Sequence, residues 1–535
     1  MIFTVGVFTF LILTIVIGII VSRRVTDVED YYVSGRNAST ILIAGSLIAS
    51  FFSTVAFMGE AGDAYLGYPM IMLTLSAIDV SGYIIGAIFF GRYIRRSRAL
   101  TLPQYFGDRF NSKRVRRLAA ITTIIGMGAY LVSVTQGISL LISNLLDIDF
   151  IYALLIVWTT YTLLTFLSGA KGVLLTDTIM YFVFTLATFL SIPYILKKVG
   201  GWPDAISKTA HDLVGQPNIL SWHGITGEGA FHGLPYEALL WAIIFGLAWT
   251  CVLAISPWQT SRYLMAKNEH VILRSAVVAT ISVISIYVLL FITMATVNLV
   301  NPNIEPAEMV FIWSAQNLVP TVIGVIVISG IMAAGLSSAS TFLQLIGNSL
   351  ANDLFNLDKQ KETGKPTTTL GMSKFLMLLS GVVVLIITIF PPPAVLWIGF
   401  FAATIFAASW AVVGFSSIHS KKVNEKAAFW GMLLGLAGIV GGQLFNFLVY
   451  ELPIYLEPVL IGFALSAVGV IYGVKTSDIT SEEKAYLDKL HMAPENLYNK
   501  KDIKITNRFA NAMIIFGFII IGFMFLYYYY PVNIF

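Results

Sequence analysis

The sequence predicts an all-α polytopic membrane protein with about fourteen transmembrane helices. Of its 535 residues, 57% are hydrophobic and 12% are charged, and the mean hydropathy is +0.81. A soluble globule of this size needs more polar surface, and a disordered chain has fewer apolar runs. Since no predicted loop exceeds about forty residues, the chain has no room for a soluble catalytic or signalling domain, and the helical bundle itself must carry the function.

Fourteen apolar runs have the length that crosses a bilayer. The first, residues 2–22, has no basic residue before it and no small-residue cleavage site, so we expect a retained helix and not a signal peptide. The others are residues 40–66, 68–91, 117–145, 149–168, 173–197, 236–257, 271–299, 319–350, 372–390, 394–417, 424–447, 454–473 and 508–530.

The placement of basic residues predicts the orientation. If the N-terminus lies outside, 30 of the 33 lysines and arginines fall in segments that face the cytoplasm. The chain is therefore expected in the plasma membrane, with both termini extracellular or periplasmic. The loop 198–235 would then be extracellular.

Several classes of function are disfavoured by what the sequence lacks. A single cysteine, Cys251, allows neither a disulfide framework nor a cysteine-based metal site. The six histidines fall in or beside polar loops, so no pair is expected to hold a haem. A glycine-lysine phosphate loop is absent, which disfavours an ATP-driven pump. Nothing indicates a nucleic-acid ligand or an obligatory protein partner.

A polar seam interrupts the apolar run 319–350. Ala334, Ser337, Ser338 and Thr341 fall on one helix face, with Ser340 beside them. Small hydroxyls and a backbone carbonyl suit a hard monovalent cation. The alternative is that small residues here only let a neighbouring helix pack closely.

Six motifs in register resemble the sodium:solute symporter family, which includes proline, sialic acid and sugar symporters. The similarity covers roughly residues 26–440. The motifs are the stretch 30–36 (DYYVSGR), the stretch 102–110 (LPQYFGDRF), Thr176-Asp177, the stretch 262–267 (RYLMAK), the seam 334–341 (AGLSSAST), and Asn424 ahead of 431–435 (GMLLG).

The resemblance implies a LeuT-type fold with two five-helix repeats of opposite orientation. The resulting division is an extra N-terminal helix (1–22), the first repeat (40–197), the extracellular loop (198–235), the second repeat (236–418) and three additional C-terminal helices (424–535). The first helix of each repeat is expected to be interrupted, exposing backbone carbonyls. We expect Trp249 and Thr250 at the second interruption, near Ser256-Pro257, where proline removes a helical hydrogen bond.

The resemblance also implies ion sites. The principal sodium site would use the carbonyls of Ala49, Phe52 and Ala334 and the hydroxyls of Ser337 and Ser338. Some family members hold a second sodium, which here would take Asp177, Ser337, Ser340 and Thr341. An intramembrane carboxylate is costly without a partner, yet Asp177 could instead cap the start of its own helix.

The predicted solute site comprises Phe51, Val55, Ala56, Asp79, Tyr130, Gln136, Trp249 and Thr250. Sugar carriers of the family have glutamine, glutamate and asparagine where this chain has Phe51, Val55 and Ala56, which disfavours a sugar. An aromatic, modestly polar pocket suits a compact monocarboxylate, amino acid or similar metabolite. Asp79 favours a solute that carries an amine or several hydroxyl groups. Packing roles are the alternative for Tyr130 and Trp249.

The sequence thus predicts a sodium-coupled secondary active symporter, not an enzyme, that imports a small organic solute by alternating access. Its ligands would be the solute and Na+, and its environment the lipid bilayer. The main alternative is a proton-coupled carrier with Glu60 or Asp177 as the proton site. Less favoured alternatives are a membrane sensor and a polytopic enzyme, for which the pair of Glu60 and Asp63 lacks a nearby nucleophile.

Overall fold

The computed structural model describes residues 2–22, 28–213, 218–355, 370–390 and 395–533. Within these ranges regular structure is helical, apart from one isolated parallel bridge between Ala38 and Ala266. The helices of the first half are α1 (Ile2–Ser22), α2 (Val28–Val33), α3 (Thr40–Phe51), α4 (Val55–Tyr65), α5 (Pro69–Ser97), α6 (Leu102–Arg109), α7 (Lys113–Leu146), α8 (Phe150–Leu167), α9 (Gly169–Lys198) and α10 (Asp204–His211).

The second half continues with α11 (Pro235–Ile255), α12 (Pro257–Met265), α13 (Glu269–Leu299), α14 (Val310–Asn317), α15 (Thr321–Phe355), α16 (Gly371–Ile389), α17 (Ile398–His419), α18 (Glu425–Leu448), α19 (Pro458–Thr476), α20 (Ser481–His491) and α21 (Lys500–Asn533). In the described ranges thirteen spans are long and apolar enough to cross a membrane, and the bent pair α3 and α4 gives a fourteenth. The predicted all-α polytopic fold is confirmed.

The first helix of the predicted first repeat is broken, as expected. The axes of α3 and α4 differ by 56°. Phe52 leaves the helical region at φ −66° and ψ 121°, and the hydroxyl of Ser53 accepts the backbone N–H of Val55 at 3.1 Å to start the next helix. Carbonyls at the end of α3 are thereby released from helical hydrogen bonding.

A second break separates α11 from α12 at Ser256, which is extended at φ −60° and ψ 151°. Pro257 begins α12, where its fixed φ is favourable and its missing N–H costs nothing. The prediction that Trp249 and Thr250 lie at this break is wrong, because both fall inside the continuous helix α11. The break lies at Ser256 and not earlier, because Pro257 lacks the backbone N–H that would continue the helix, whereas Trp249 and Thr250 keep theirs.

Helix α15 lies at the centre of the bundle. It packs against α9 and α7, and α9 packs in turn against α3. The approach of α3 to α9 is close: a Cβ added to Gly45 would lie 2.9 Å from the Cα of Thr178. Glycine at this position therefore brings Ser46 next to Asp177.

The bundle has two ends with different chemistry. At one end, called here the basic face, the ends of α5, α6 and α17 meet α20. Arg96 donates to the carbonyl of Leu490 at 2.8 Å, and Arg109 donates to the carbonyl of Ser417 at 2.6 Å. At the opposite end the connection before α11 packs over α4, with the N–H of Ile225 donating to the carbonyl of Gly67 at 3.1 Å.

Candidate ion and solute site

Five oxygens meet where α15 passes the break after α3. The Ser337 hydroxyl donates to the carbonyls of Ala49 at 2.7 Å and Ala334 at 2.8 Å. The Ser338 hydroxyl lies 3.4 Å from the Ala49 carbonyl oxygen and 3.3 Å from that of Phe52. All five residues are fully buried, so the structure brings together every residue predicted for the principal ion site.

The chemistry of these oxygens is that of a cation site. Three are carbonyl oxygens and two are hydroxyls, which a hard cation accepts as ligands. Each serine proton now satisfies a carbonyl, and rotation about the C–O bond would offer the hydroxyl lone pairs instead. The same atoms can therefore close against each other or coordinate an ion.

Asp177 forms a buried ion pair with Arg262. The Nη2 atom of Arg262 lies 3.0 Å from Oδ2 of Asp177 and also donates to Thr341 at 2.6 Å. The Ser46 hydroxyl donates to Asp177 at 2.6 Å and accepts from Nε of Arg262 at 2.9 Å. The two charged side chains are 0% and 1% exposed, so each stabilises the other in the bundle interior.

This arrangement corrects two expectations about Asp177. Its carboxylate is not unpaired, and its hydrogen bonds go to α3 and α12 instead of capping its own helix. Of the other residues predicted for a second ion, Thr341 accepts from Arg262, while Ser340 donates to the carbonyl of Ser337 at 3.0 Å. The guanidinium lies between Asp177 and Thr341, where the second sodium was expected.

Sequence reasoning missed Arg262 and Ser46. Arg262 was noted only as part of a family motif, and it was counted among the loop charges. The signal that could have identified it is Pro257, because a helix that restarts inside the bundle keeps its next residues among buried side chains. Within α12, every residue from Pro257 to Met265 is buried.

Phe51 is the centre of an aromatic cluster beside the ion site. Its ring centroid lies 5.9 Å from Trp249, 6.2 Å from Tyr83 and 6.1 Å from Tyr287, all with edge-to-face geometry. The indole Nε1 of Trp249 is buried without a hydrogen-bond partner among the described residues. Phe51 and Trp249, predicted to line the solute site, are thus in contact.

Two acidic residues, Glu60 and Asp79, approach this cluster. Glu60 lies near Tyr287, and Asp79 lies near Glu60 and Tyr83. Both carboxyl groups are buried, and Oε2 of Glu60 and Oδ1 of Asp79 have no hydrogen-bond partner in the described part of the chain. Asp79 therefore lies inside the bundle and not against lipid.

The remaining predicted solute residues divide into two groups. Val55, Ala56, Tyr130 and Gln136 are buried, and the Tyr130 ring stacks on Phe342 at 4.7 Å. Thr250 is turned away from the cluster. Its hydroxyl donates to the carbonyls of Gly246 at 2.9 Å and Ile78 at 3.0 Å, which ties α11 to α5.

Cavities at the two ends of the bundle differ in size. Beside Arg262, towards the basic face, the space is about 20 Å³, with Tyr32, Gln344 and Asn348 in its wall. At the opposite end a cavity of about 660 Å³ reaches inward past His232. Burial lowers the pKa of the His232 ring to about 4, so the ring is neutral at pH 7. The space beside Arg262 is much narrower than the cavity at the opposite end.

Two interrupted helices, with the polar helix α15 passing the first break, form an arrangement typical of secondary transporters. The chain belongs to the sodium:solute symporter family, whose model matches residues 31–435. This is a family of transporters, not of enzymes, and its members are multi-pass membrane proteins that couple solute transport to sodium.

Curated relatives are similar over most of their length. The sodium/pantothenate symporter of Haemophilus influenzae is 23% identical over 427 residues, covering 78% of this chain and 86% of that protein. The sodium/proline symporter of Escherichia coli is 24% identical over 476 residues, covering 85% and 89%. Identities of 23% and 24% are consistent with membership of one family, but they do not identify the solute of this chain.

Solved structures are similar in fold. A substrate-bound, outward-open structure of a Na+-coupled sialic acid symporter matches with a TM-score of 0.73 at 18% identity, covering 90% of this chain and 99% of that one. The match supports the predicted LeuT-type fold class.

Proposed function

We propose that this protein is a sodium-coupled symporter that moves a small organic solute by alternating access, with its principal sodium at the oxygens of Ala49, Phe52, Ala334, Ser337 and Ser338. The observation that carries the proposal is the convergence of these five oxygens from two helices at a helix break. Uncharged ligands suit an ion that must leave on every cycle.

The two breaks support an architecture of two repeats, residues 40–197 and 236–418. Each proposed repeat begins with a broken helix, first α3 with α4 and then α11 with α12. The distribution of basic residues supports a cytoplasmic location for the basic face and an outside location for both termini. The narrow space beside Arg262 would then be the inner gate, and the cavity of about 660 Å³ would open outward.

The solute site is proposed at the cluster of Phe51, Trp249, Tyr83 and Tyr287, next to Asp79 and Glu60. Aromatic faces bind the apolar part of a compact solute, and buried carboxyl oxygens without partners accept hydrogen bonds from it. An amine or several hydroxyl groups on the solute would meet that need. A solute of the size of an amino acid fits this description.

Arg262 is proposed as the cation that balances Asp177 while the inner gate is closed. Since Arg262 donates to both Asp177 and Thr341, a second sodium cannot use those two oxygens until the guanidinium leaves. We therefore infer that one sodium accompanies each solute. Reversal potentials in proteoliposomes give this ratio, and two sodium ions per solute would contradict the inference.

The direct test is thermal unfolding of purified protein in sodium chloride against choline chloride at equal ionic strength. An ion that binds only the folded state raises the midpoint temperature, and the rise grows with the logarithm of the ion concentration once that exceeds the dissociation constant. Sodium should stabilise the protein and Ser337→Ala should remove that effect. Ser380→Ala is a matched control, because its buried hydroxyl donates only to Leu376 of the same helix at 2.7 Å. Equal midpoints in the two salts for the unaltered protein would contradict the proposal.

Proton coupling is the second candidate, and the buried Glu60 is the observation that favours it. Asp177 is a poorer proton site because its ion pair with Arg262 favours the ionised carboxylate. Glu60→Gln separates the two ions. Under the proton alternative, the variant would lose the dependence of uptake on a pH gradient. Under the sodium proposal, activation by sodium would persist in it.

A further inference from the structure

We propose that the basic face holds a binding site for a phosphate-bearing anion, formed by the end of α5, the connection between α12 and α13, and the end of α20, and that its occupancy holds the inner gate closed. The site is a cavity of about 290 Å³ whose wall includes Arg95, Arg96, Arg98, Lys267, Lys489 and Glu269. It lies apart from the ion and solute site. The gating consequence depends on the function proposed above, whereas the binding itself does not.

The charge of the cavity wall is unbalanced. Glu269 is the one acidic residue in it, and two arginines already neutralise that carboxylate: Arg92 at 3.0 Å and Arg96 at 2.6 Å. Arg98, Lys267 and Lys489 form no salt bridge within the ranges that the structure describes, and each is exposed. Four like charges, including that of Arg95, therefore surround one cavity, which creates a strongly positive potential.

The side chains are held in place by the backbone. Arg95 donates from Nε to the carbonyl of Ala266 at 2.6 Å. Arg98 has a left-handed conformation, φ 57°, and its carbonyl accepts from Nη2 of Arg36 at 2.8 Å. The N–H of Lys267 donates to the carbonyl of Ala38 at 3.0 Å. These hydrogen bonds fix the positions of Arg95, Arg98 and Lys267 in the cavity wall. An anion would therefore meet a partly preorganised site.

The chemistry fits a phosphate better than a carboxylate. A phosphate presents several oxygens and more than one negative charge, which guanidinium and ammonium groups can share from different elements. Membrane proteins generally carry an excess of basic residues on the cytoplasmic side. That excess does not explain why several of these residues surround one cavity. The source of the phosphate is either an anionic lipid headgroup or a soluble phosphate compound, and these two share the same chemistry.

The cavity is connected to the gate through the end of α12. Arg95 binds the carbonyl of Ala266, the residue that follows α12, and α12 carries Arg262. An anion that bridges α5, Lys267 and Lys489 would hold this end of α12 against α5. If the inner gate of the proposed symporter opens by a movement of α12, a bound anion would oppose that movement and slow transport.

The test uses the full-length protein and two probes: pyrophosphate in detergent, and nanodiscs in which phosphatidylglycerol replaces phosphatidylcholine. The triple variant Arg98→Gln/Lys267→Gln/Lys489→Gln removes three charges from the cavity. Its matched control, Lys500→Gln/Lys504→Gln/Arg508→Gln, removes three charges from another basic group of residues on α21. Binding is measured as the shift of the unfolding midpoint against probe concentration.

Each basic residue near an anionic group contributes about 1 kcal/mol to binding. We therefore expect the loss of three charges in the cavity variant to weaken binding on the order of 100-fold, and the control variant to weaken it much less. Stabilisation by pyrophosphate identifies a soluble phosphate, and stabilisation only by phosphatidylglycerol identifies a lipid headgroup. Equal losses in both variants, or no stabilisation by either probe, would overturn the site. Normal sodium stabilisation in the cavity variant would keep this result separate from the proposed symport function.

Discussion

The carboxylate of Asp177 and the guanidinium of Arg262 lie 3.0 Å apart with almost no exposed surface. Removing one partner leaves the other charged in a buried position, at a cost of about 3–5 kcal/mol. We expect Asp177→Asn and Arg262→Gln each to lower the midpoint of thermal unfolding strongly. The double variant should recover much of the loss.

The control for this cycle is the pair of Arg114 and Glu425, in which the side chains are 54% and 24% exposed. Arg114→Gln should cost less than about 1 kcal/mol because surface pairs are screened by water and salt. If the Asp177 and Arg262 losses were simply additive in the double variant, the two residues would not be coupled.

Ser337→Ala and Ser338→Ala test the ion site through transport. Each removes one oxygen from the convergence of five, and alanine is well tolerated in a helix. We expect the sodium concentration for half-maximal uptake to rise about tenfold or more, equivalent to about 1.4 kcal/mol of lost binding. Uptake of radiolabelled candidate solutes as a function of sodium measures this. An unchanged sodium dependence in both variants would remove the ion from this position.

Asp79→Asn tests the solute site. Asparagine keeps the shape but removes the charge, so a solute that donates hydrogen bonds to the carboxylate should bind less tightly. We expect the half-saturating solute concentration to rise about tenfold, at about 1.4 kcal/mol per factor of ten, while the value for sodium at saturating solute stays nearly constant. Uptake normalised to folded protein separates this result from a folding defect. A normal solute affinity with poor recovery of folded protein would assign Asp79 a structural role.

Gly45→Ala tests the close approach of α3 and α9. The added Cβ would meet the Cα of Thr178 at 2.9 Å, so the two helices must separate. We expect a destabilisation of about 1–3 kcal/mol, measured by thermal unfolding. Gly128→Ala is the control, because a Cβ there meets nothing within 4 Å; removing a helical glycine should be neutral or stabilising by up to about 1 kcal/mol. If Gly45→Ala and Gly128→Ala changed the stability equally, helix propensity and not packing would determine both effects.

Much of the fold, and the residues that converge at the candidate ion site, could be predicted from the sequence. Apolar runs of bilayer length gave the spans, because lipid allows few other solutions. Ser337 and Ser338 stand out, since hydroxyls at helical spacing in an apolar run are conspicuous. Ala49 and Phe52 were identified through the family resemblance alone. Every residue has a backbone carbonyl, so the type of side chain does not indicate which carbonyl binds an ion.

The errors have a common physical cause. Arg262 was counted with the loop charges and Thr250 was placed at a break, because a sequence does not show whether the chain stays inside the bundle after a proline. The helix breaks at Ser256, but α12 continues through buried surroundings, where Arg262 meets Asp177. Partners that are distant in sequence, such as Ser46 with Asp177, are found only when the helices are packed together.

The buried ion pair also affects how the chain is made. Asp177 is synthesised 85 residues before Arg262, so its carboxyl enters the bilayer before its partner exists. We therefore expect that neither the segment up to Lys198 nor the segment from Pro235 onward folds stably alone. If the gene were split between these two residues, each fragment would carry a lone buried charge and be degraded when made alone, while the two fragments made together would protect each other.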